Sequence, residues 1–296
     1  MKFYSPLRYP GGKNKAMALF RDIIKVNELQ GCVYVEPFAG GASVALALLM
    51  EGDAERIVIN DADPSIYSFW ISCLNHTDDF CQLMRQTEVT IDVWESQKDI
   101  YHKLRASALN GETYDTMKLG FAAFFLNRTN RSGILKGGII GGHNQKGKYG
   151  ITARFNKPEL EQRIRNIAKY SERIQIFCED AKVFLKNHSD KWPSKSLIYC
   201  DPPYVKQGRG LYMNFFKAED HQELAKVILN MEDKHWIVTY DMNPLIANIY
   251  HDYLNKKLTL SYSASHERTE LQSDEYIFFS RDLRIPNNDR ITDITE

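Results

Sequence analysis

The sequence predicts an α/β fold, a sheet of nucleotide-binding type that carries a mainly helical insertion. Three observations predict it. Residues 31–63 run strand, glycine-rich turn, helix, strand, acid, the opening of such a sheet. Three further short apolar strands follow after residue 173. Between these two groups, residues from about Ser65 to Phe125 show no strand alternation and are rich in helix-compatible polar and aromatic residues.

Gly31 to Glu36 reads as the first buried strand, running into Pro37-Phe38-Ala39-Gly40-Gly41 and an apolar helix from Ala42 to Met50. Arg56 to Asn60 is the second strand, ending in Asp61-Ala62-Asp63. The insertion includes Phe69, Trp70, Trp94 and Tyr101, and the glycines between Gly133 and Gly150 predict turns in a loop or hairpin. An amphipathic helix from Leu160 to Tyr170 resumes the sheet domain. Ile174–Phe177, Ser196–Cys200 and Trp236–Tyr240 are the later strands, with a helix from His221 to Met231 before the last. Leu258 to Ala264 and Glu275 to Ser280 alternate like two antiparallel strands that close the sheet. The domains are therefore expected at 1–64 with 159–283 and at 65–158, and the polar residues 284–296 are expected as a loose tail.

At 296 residues the chain suits one large domain or a core domain with an insertion. No apolar run approaches the roughly 20 residues needed to cross a bilayer. Met1 to Gly12 lacks a basic and then apolar leader pattern, so the expectation is a cytoplasmic protein without membrane contact. The five cysteines, Cys32, Cys73, Cys81, Cys178 and Cys200, form no C-x-x-C pair and no cluster with histidine, which argues against zinc, any other metal and a disulfide framework.

Net charge is zero, which by itself speaks against a protein that coats nucleic acid. Its distribution says otherwise. From Lys118 to Pro158 there are Lys118, Arg128, Arg131, Lys136, Lys146, Lys148, Arg154 and Lys157 and no acid. Such a strip can neutralise phosphates and release counterions, although a solvated basic face has the same composition.

Asp201-Pro202-Pro203-Tyr204, directly after the strand ending at Cys200, carries the most specific chemistry. The exocyclic amine of adenine is a poor nucleophile because its lone pair is delocalised into the ring. A carboxylate and a backbone carbonyl that accept its two N–H bonds draw the nitrogen toward tetrahedral geometry and free the lone pair for attack on a methyl sulfonium. Asp201 and the Pro202 carbonyl suit those roles, the prolines removing competing donors. Tyr204 offers a ring for a base flipped out of a duplex.

The second motif is Glu36-Pro37-Phe38-Ala39-Gly40-Gly41, whose glycines allow close approach of a cofactor. Asp61, at the end of the next strand, can accept from ribose hydroxyls. G-x-G-x-x-G is absent, so the pair points to an adenosine-containing cofactor other than a dinucleotide. Leu7-Arg8-Tyr9-Pro10-Gly11-Gly12-Lys13 lacks the spacing of a phosphate loop.

Taken in order, Tyr9 to Lys13, Glu36 to Gly41, Asn60-Asp61, Phe125-Leu126-Asn127-Arg128, Asp180 and Asp201 to Tyr204 resemble the Dam-type (D12 class) DNA adenine-N6 methyltransferases over residues 5 to 280. The resemblance implies a Rossmann-like methyltransferase sheet, S-adenosylmethionine as cofactor and double-stranded DNA as substrate. It implies cofactor contacts from Tyr9, Lys13, Phe38, Gly40, Asp61 and Asp180, the last equally suited to cap a helix. Catalysis would fall to Asp201, Pro202, Pro203 and Tyr204. Residues 65–158 become the target-recognition insertion, with Asn127, Arg128, Arg131, Lys136, Lys146, Lys148 and Arg154 as nucleic-acid contacts.

The chain departs from the family in places. Tyr9 stands where members often carry Trp, and Asn127-Arg128-Thr129-Asn130-Arg131-Ser132-Gly133 matches N-R-x-x-x-N-G only in part. Ile134 to Phe155 does not carry the pattern that reads GATC, so adenine is implied without its sequence context. Val205 to Asn214, with Gly208 and Gly210, reads as a lid. A restriction endonuclease partner, a repair role and a mobile-element origin fit the resemblance equally. Other methylated amines, an idle binding protein and a nucleotide hydrolase are the rival readings, the last disfavoured by motif spacing.

Overall fold

The computed structural model describes residues 3–9, 13–205, 216–253, 256–263 and 270–294. They divide into a sheet unit, Lys13–Phe38, Ala47–Asn60 and Glu179–Glu296, and a helical unit, Met1–Gly12, Ala39–Leu46 and Asp61–Cys178.

In the sheet unit, β1 (Cys32–Glu36), β2 (Ala54–Asn60), β4 (Ser196–Cys200), β5 (His235–Asp241), β6 (Lys256–Ser263), β7 (Glu270–Phe279) and β8 (Ile291–Asp293) are ordered β2-β1-β4-β5-β7-β6-β8. β2, β1, β4 and β5 run parallel, with Val35 beside both Val58 and Ile198. Every residue of β4 is buried, which is why this strand is a continuous apolar run rather than an alternating one. β5 pairs antiparallel with β7, and β6 with both β7 and β8. The parallel strands end together, so the residues at and after Glu36, Cys200 and Asp241 share one edge, the usual ligand edge of such a sheet.

Helix α1 (Met17–Val26) buries Leu19, Phe20, Ile23 and Ile24, a one-sided spacing, and Phe20 meets Tyr199 edge-on at 4.7 Å. Helices α8 (Ala181–His188) and α9 (Ala218–Leu229) pack on each other, and α10 (Pro244–Ile249) on α9. Part of the segment expected as a loose tail is a strand. Ile291–Asp293 forms β8 against Lys256–Leu258, because β6 would otherwise leave an unpaired edge.

In the helical unit, α3 (Pro64–Asn75), α4 (Thr77–Gln86), α5 (Ile91–Leu109), α6 (Thr116–Thr129) and α7 (Lys157–Ala168) precede the short strand β3 (Ile174–Phe177). Helix α2 (Ser43–Glu51) begins in this unit. Residues 119–127 of α6 are all buried, so α6 is the central helix, apolar on every side. A Cβ at Gly120 would fall 2.5 Å from the Ser68 carbonyl oxygen, so the α3–α6 crossing requires glycine there. Phe69 stacks on Phe124 at 5.7 Å, and Phe80 and Phe155 meet the same ring. Helix α7, expected with the sheet domain, packs here against α3 and α4 through its Leu160, Ile164 and Ile167 face. No helix among the described residues is long and apolar enough to cross a membrane.

Candidate active site

In the sheet unit, Asp201 follows β4 directly and is 24% exposed, while Pro202 and Pro203 are buried. The contacts of its carboxylate converge on one oxygen. Oδ1 accepts from the Thr239 hydroxyl at 2.8 Å and the Tyr204 hydroxyl at 3.1 Å, and lies 3.5 Å from Lys13 Nζ. Oδ2 has no partner among the described residues. Among the described residues the carboxylate is thus fixed through one oxygen only.

Lys13 is itself buried at 4% exposure. Its ammonium donates to both oxygens of Glu275, at 2.7 and 3.0 Å, and to the Tyr204 hydroxyl at 2.6 Å. Burial pushes the Glu275 carboxyl up, Lys13 opposes this, and the nearby Asp201 adds to it. Burial, with the Asp201 and Glu275 charges beside it, also raises the Tyr204 phenol far above its ordinary range, keeping it a neutral donor. The Val205 N–H donates to Asp241 Oδ1 at 3.0 Å, tying the end of the proline turn to β5. Residues 206–215, which hold nearly all of the expected lid, lie outside the described residues.

Buried Asn60 clamps the strand ends of this unit. Its amide nitrogen donates to the Pro37 and Glu179 carbonyls, each at 3.0 Å, and its oxygen accepts from the Glu179 N–H at 2.9 Å. Phe38 follows, half-buried and edge-on to Phe216 at 6.1 Å. Asp180 caps α8, its Oδ1 accepting from the Lys182 N–H at 2.9 Å and the Val183 N–H at 3.4 Å. Of the two roles the sequence left open for it, helix capping is the one these bonds realise.

In the helical unit, Tyr9, Gly40 and Asp61 come together. Gly40 has φ +45°, and a Cβ there would fall 2.6–2.8 Å from carbons of the Tyr9 ring, so both conformation and space demand glycine. Asp61 Oδ2 accepts from the Gly40 N–H and Oδ1 from the Asp63 N–H, both at 2.9 Å. No cation pairs with Asp61 among the described residues, and burial raises its carboxyl to about 7 despite those two bonds. Trp70 donates its indole N–H to the Gly40 carbonyl at 3.0 Å and supports the turn from below.

The basic strip also lies in this unit. Arg131, Lys136, Lys146, Lys148 and Arg154 are exposed. Gln145 organises the loop that carries them, donating to the Ile140 and Gly142 carbonyls at 2.9 and 2.6 Å and accepting from the Ile151 N–H at 2.8 Å. Tyr149 is 57% exposed, with Lys148 Nζ 5.7 Å from its ring. Arg128 is half-buried, donating to the Arg154 carbonyl at 2.7 Å. Burial, with Arg8 and Arg163 close by, lowers its guanidinium to about 9. Arg8 and Arg163 were not among the expected contacts.

Asn127 corrects the sequence reading. It is 1% exposed, its oxygen accepts the Arg8 N–H at 2.7 Å, and its nitrogen donates to the Arg8 and Gly133 carbonyls at 2.7 and 2.8 Å. With both amide hydrogens and one lone pair committed to backbone and the side chain almost wholly buried, it serves the fold rather than a base edge.

Residues 9–268 match the family model described as D12 class N6 adenine-specific DNA methyltransferase. Type II methyltransferase M.MjaIII of Methanocaldococcus jannaschii is 25% identical over 242 residues, 77% of this chain and 80% of that protein. The retron Ec67 DNA adenine methylase of Escherichia coli is 23% identical over 273 residues, 89% of this chain and 87% of that protein. A DNA adenine methylase of Vibrio cholerae is 26% identical over 203 residues, 67% of this chain and 64% of that protein. Together with the α/β sheet and the acid-proline turn at its ligand edge, the family match is decisive: the chain belongs to the D12 class N6 adenine-specific DNA methyltransferases.

Proposed function

We propose that the enzyme uses S-adenosylmethionine to methylate N6 of an adenine flipped out of double-stranded DNA at a specific site, with Asp201 as the residue that activates the amine. The observation that carries this reading is the division of labour on Asp201: Oδ1 is engaged by Thr239 and Tyr204, and Oδ2 has no partner among the described residues.

The chemistry of several residues fits the cofactor. Asp61 is a half-buried carboxylate without a cationic partner among the described residues, suited to accept from ribose hydroxyls, and Gly40 keeps the turn beside it free of a side chain. Tyr9, Lys13 and Phe38 are the further contacts we assign, with Asp180 a helix cap first. When bound, S-adenosylmethionine supplies an electrophilic methyl group on a sulfonium.

The chain's own part is preparation of the nucleophile. Asp201 Oδ2 accepts one amine hydrogen and the Pro202 carbonyl the other, so the lone pair localises on N6. As the N–C bond forms, the methyl–sulfur bond would break and the sulfonium would leave as a neutral thioether, and the surplus proton passes to Asp201 or to solvent. The Tyr204 hydroxyl holds Asp201 while its ring offers a face to the base. Residues 65–158 serve target recognition, and Arg131, Lys136, Lys146, Lys148 and Arg154 contact phosphates, with Arg128 behind them.

The test is methyl transfer from labelled S-adenosylmethionine to mixed-sequence unmethylated DNA, followed by nucleoside analysis. N6-methyladenine from the wild type and none from Asp201→Ala supports the reading. A methyl group on cytosine or on RNA alone would overturn it.

A further inference from the structure

We propose that Glu275 is a positioning residue for the methyl transfer, acting through Lys13 to decide which oxygen of Asp201 meets the amine. The inference rests on the role of Asp201 proposed above. Glu275 lies on β7 opposite Asp241 of β5, 3% exposed, in alternating phase with the buried Ile277 and Phe279. An acid on the apolar face of a strand is costly unless it is paired. Its partner is the Lys13 ammonium, held by both carboxylate oxygens.

This pairing sets what Lys13 can do elsewhere. With Glu275 neutralising it, the ammonium touches Tyr204 closely at 2.6 Å and Asp201 only at 3.5 Å. Tyr204 accepts from Lys13, and its own proton lies between Asp201 Oδ1 at 3.1 Å and Glu275, which its hydroxyl also meets. Without the Glu275 charge, a buried ammonium beside a carboxylate would close to a direct ion pair. Asp201 would then rotate, or give Lys13 the oxygen that the amine needs. Glu275 touches neither substrate nor reacting atoms in this account, and its effect falls on the catalytic step rather than on binding.

The experiment uses the full chain. Wild type, Glu275→Gln and Glu275→Asp are compared for kcat, for KM toward S-adenosylmethionine and DNA, and for thermal midpoint. Glu275→Gln, nearly isosteric, is expected to lower kcat by roughly 10²-fold, the scale of an ångström-sized misplacement. KM for DNA should stay within about threefold, and any rise in KM for S-adenosylmethionine passed on through Lys13 should be small beside the loss in kcat. Glu275→Asp keeps the charge on a shorter arm and should recover part of kcat. If Glu275→Gln does not fold, Glu275→Asp carries the test through its own kcat loss at unchanged KM for DNA.

Wild-type kcat in Glu275→Gln would overturn the inference. So would a rise in KM for S-adenosylmethionine with kcat intact, which would mark Glu275 as part of the cofactor site. A wild-type protein that forms no N6-methyladenine on DNA would instead sink the underlying reading, and the two failures are read from different samples.

Discussion

Replacing Asp61 by asparagine should flatten the pH dependence of stability, and the structure sets the size of the effect. The carboxyl is raised from its ordinary 3.8 to about 7 by burial. The folded chain therefore holds this proton more tightly than the unfolded chain. Stability is unaffected below pH 3.8, falls as pH rises toward 7, and stays reduced by a constant amount above it. A rise of this size is worth about 4 kcal/mol in full, of which about 3 kcal/mol is lost between about pH 5 and pH 8. The Asp61→Asn variant carries no such titration. Its side-chain amide would turn N–H₂ toward one of the two backbone donors from Gly40 and Asp63, a pH-independent cost of about 1–3 kcal/mol. Guanidinium unfolding of both proteins at pH 5, 6, 7 and 8 separates the two effects, because every other titrating group is common to both. The stability difference should shift by about 3 kcal/mol in favour of the variant as pH rises. Parallel curves would refute the claim that Asp61 is a desolvated carboxylate.

The same group predicts that wild-type affinity for S-adenosylmethionine tightens as pH rises through about 7 and that Asp61→Asn loses this trend, measurable by calorimetric titration. Gly40→Ala forces a Cβ onto the Tyr9 ring and an Ala into φ +45°, and should weaken cofactor binding at least about tenfold, roughly 1.4 kcal/mol. Asn127→Ala strands the Arg8 N–H and two carbonyls and should lower stability by about 2–3 kcal/mol in denaturant unfolding while leaving the salt dependence of DNA binding unchanged. Lys146→Ala and Lys148→Ala should do the reverse, each reducing the salt slope of DNA binding by about 1 with the melting midpoint unchanged.

Much of the sheet was legible because buried parallel strands are continuous apolar runs. β1, β2, β4 and β5 were found within a few residues, as was the acid-proline turn, whose chemistry is contiguous in sequence. Thr239 and Glu275 were not found, since they reach Asp201 and Lys13 only through strand pairing far along the chain. A signal for Glu275 existed: it directly precedes the apolar run Tyr276 to Phe279 and lies in phase with the buried Ile277 and Phe279. Asn127 was misread for a related reason. It follows an unbroken apolar run in α6, where a lone amide is buried and must bond to backbone, yet the family pattern suggested a base contact. The short β8 left no trace because three edge residues are too few to carry a periodicity.

The central claim is that Oδ2 of Asp201 activates the adenine amine, and single-turnover methylation by Asp201→Asn tests it most directly. The asparagine keeps the shape and can still accept from Thr239 and Tyr204, but it lacks the carboxylate charge. The account predicts S-adenosylmethionine and DNA binding near wild-type strength with a methyl-transfer rate reduced by roughly 10³-fold, as for loss of a main electrostatic stabiliser. Transfer to adenine N6 at a rate close to wild type would contradict it.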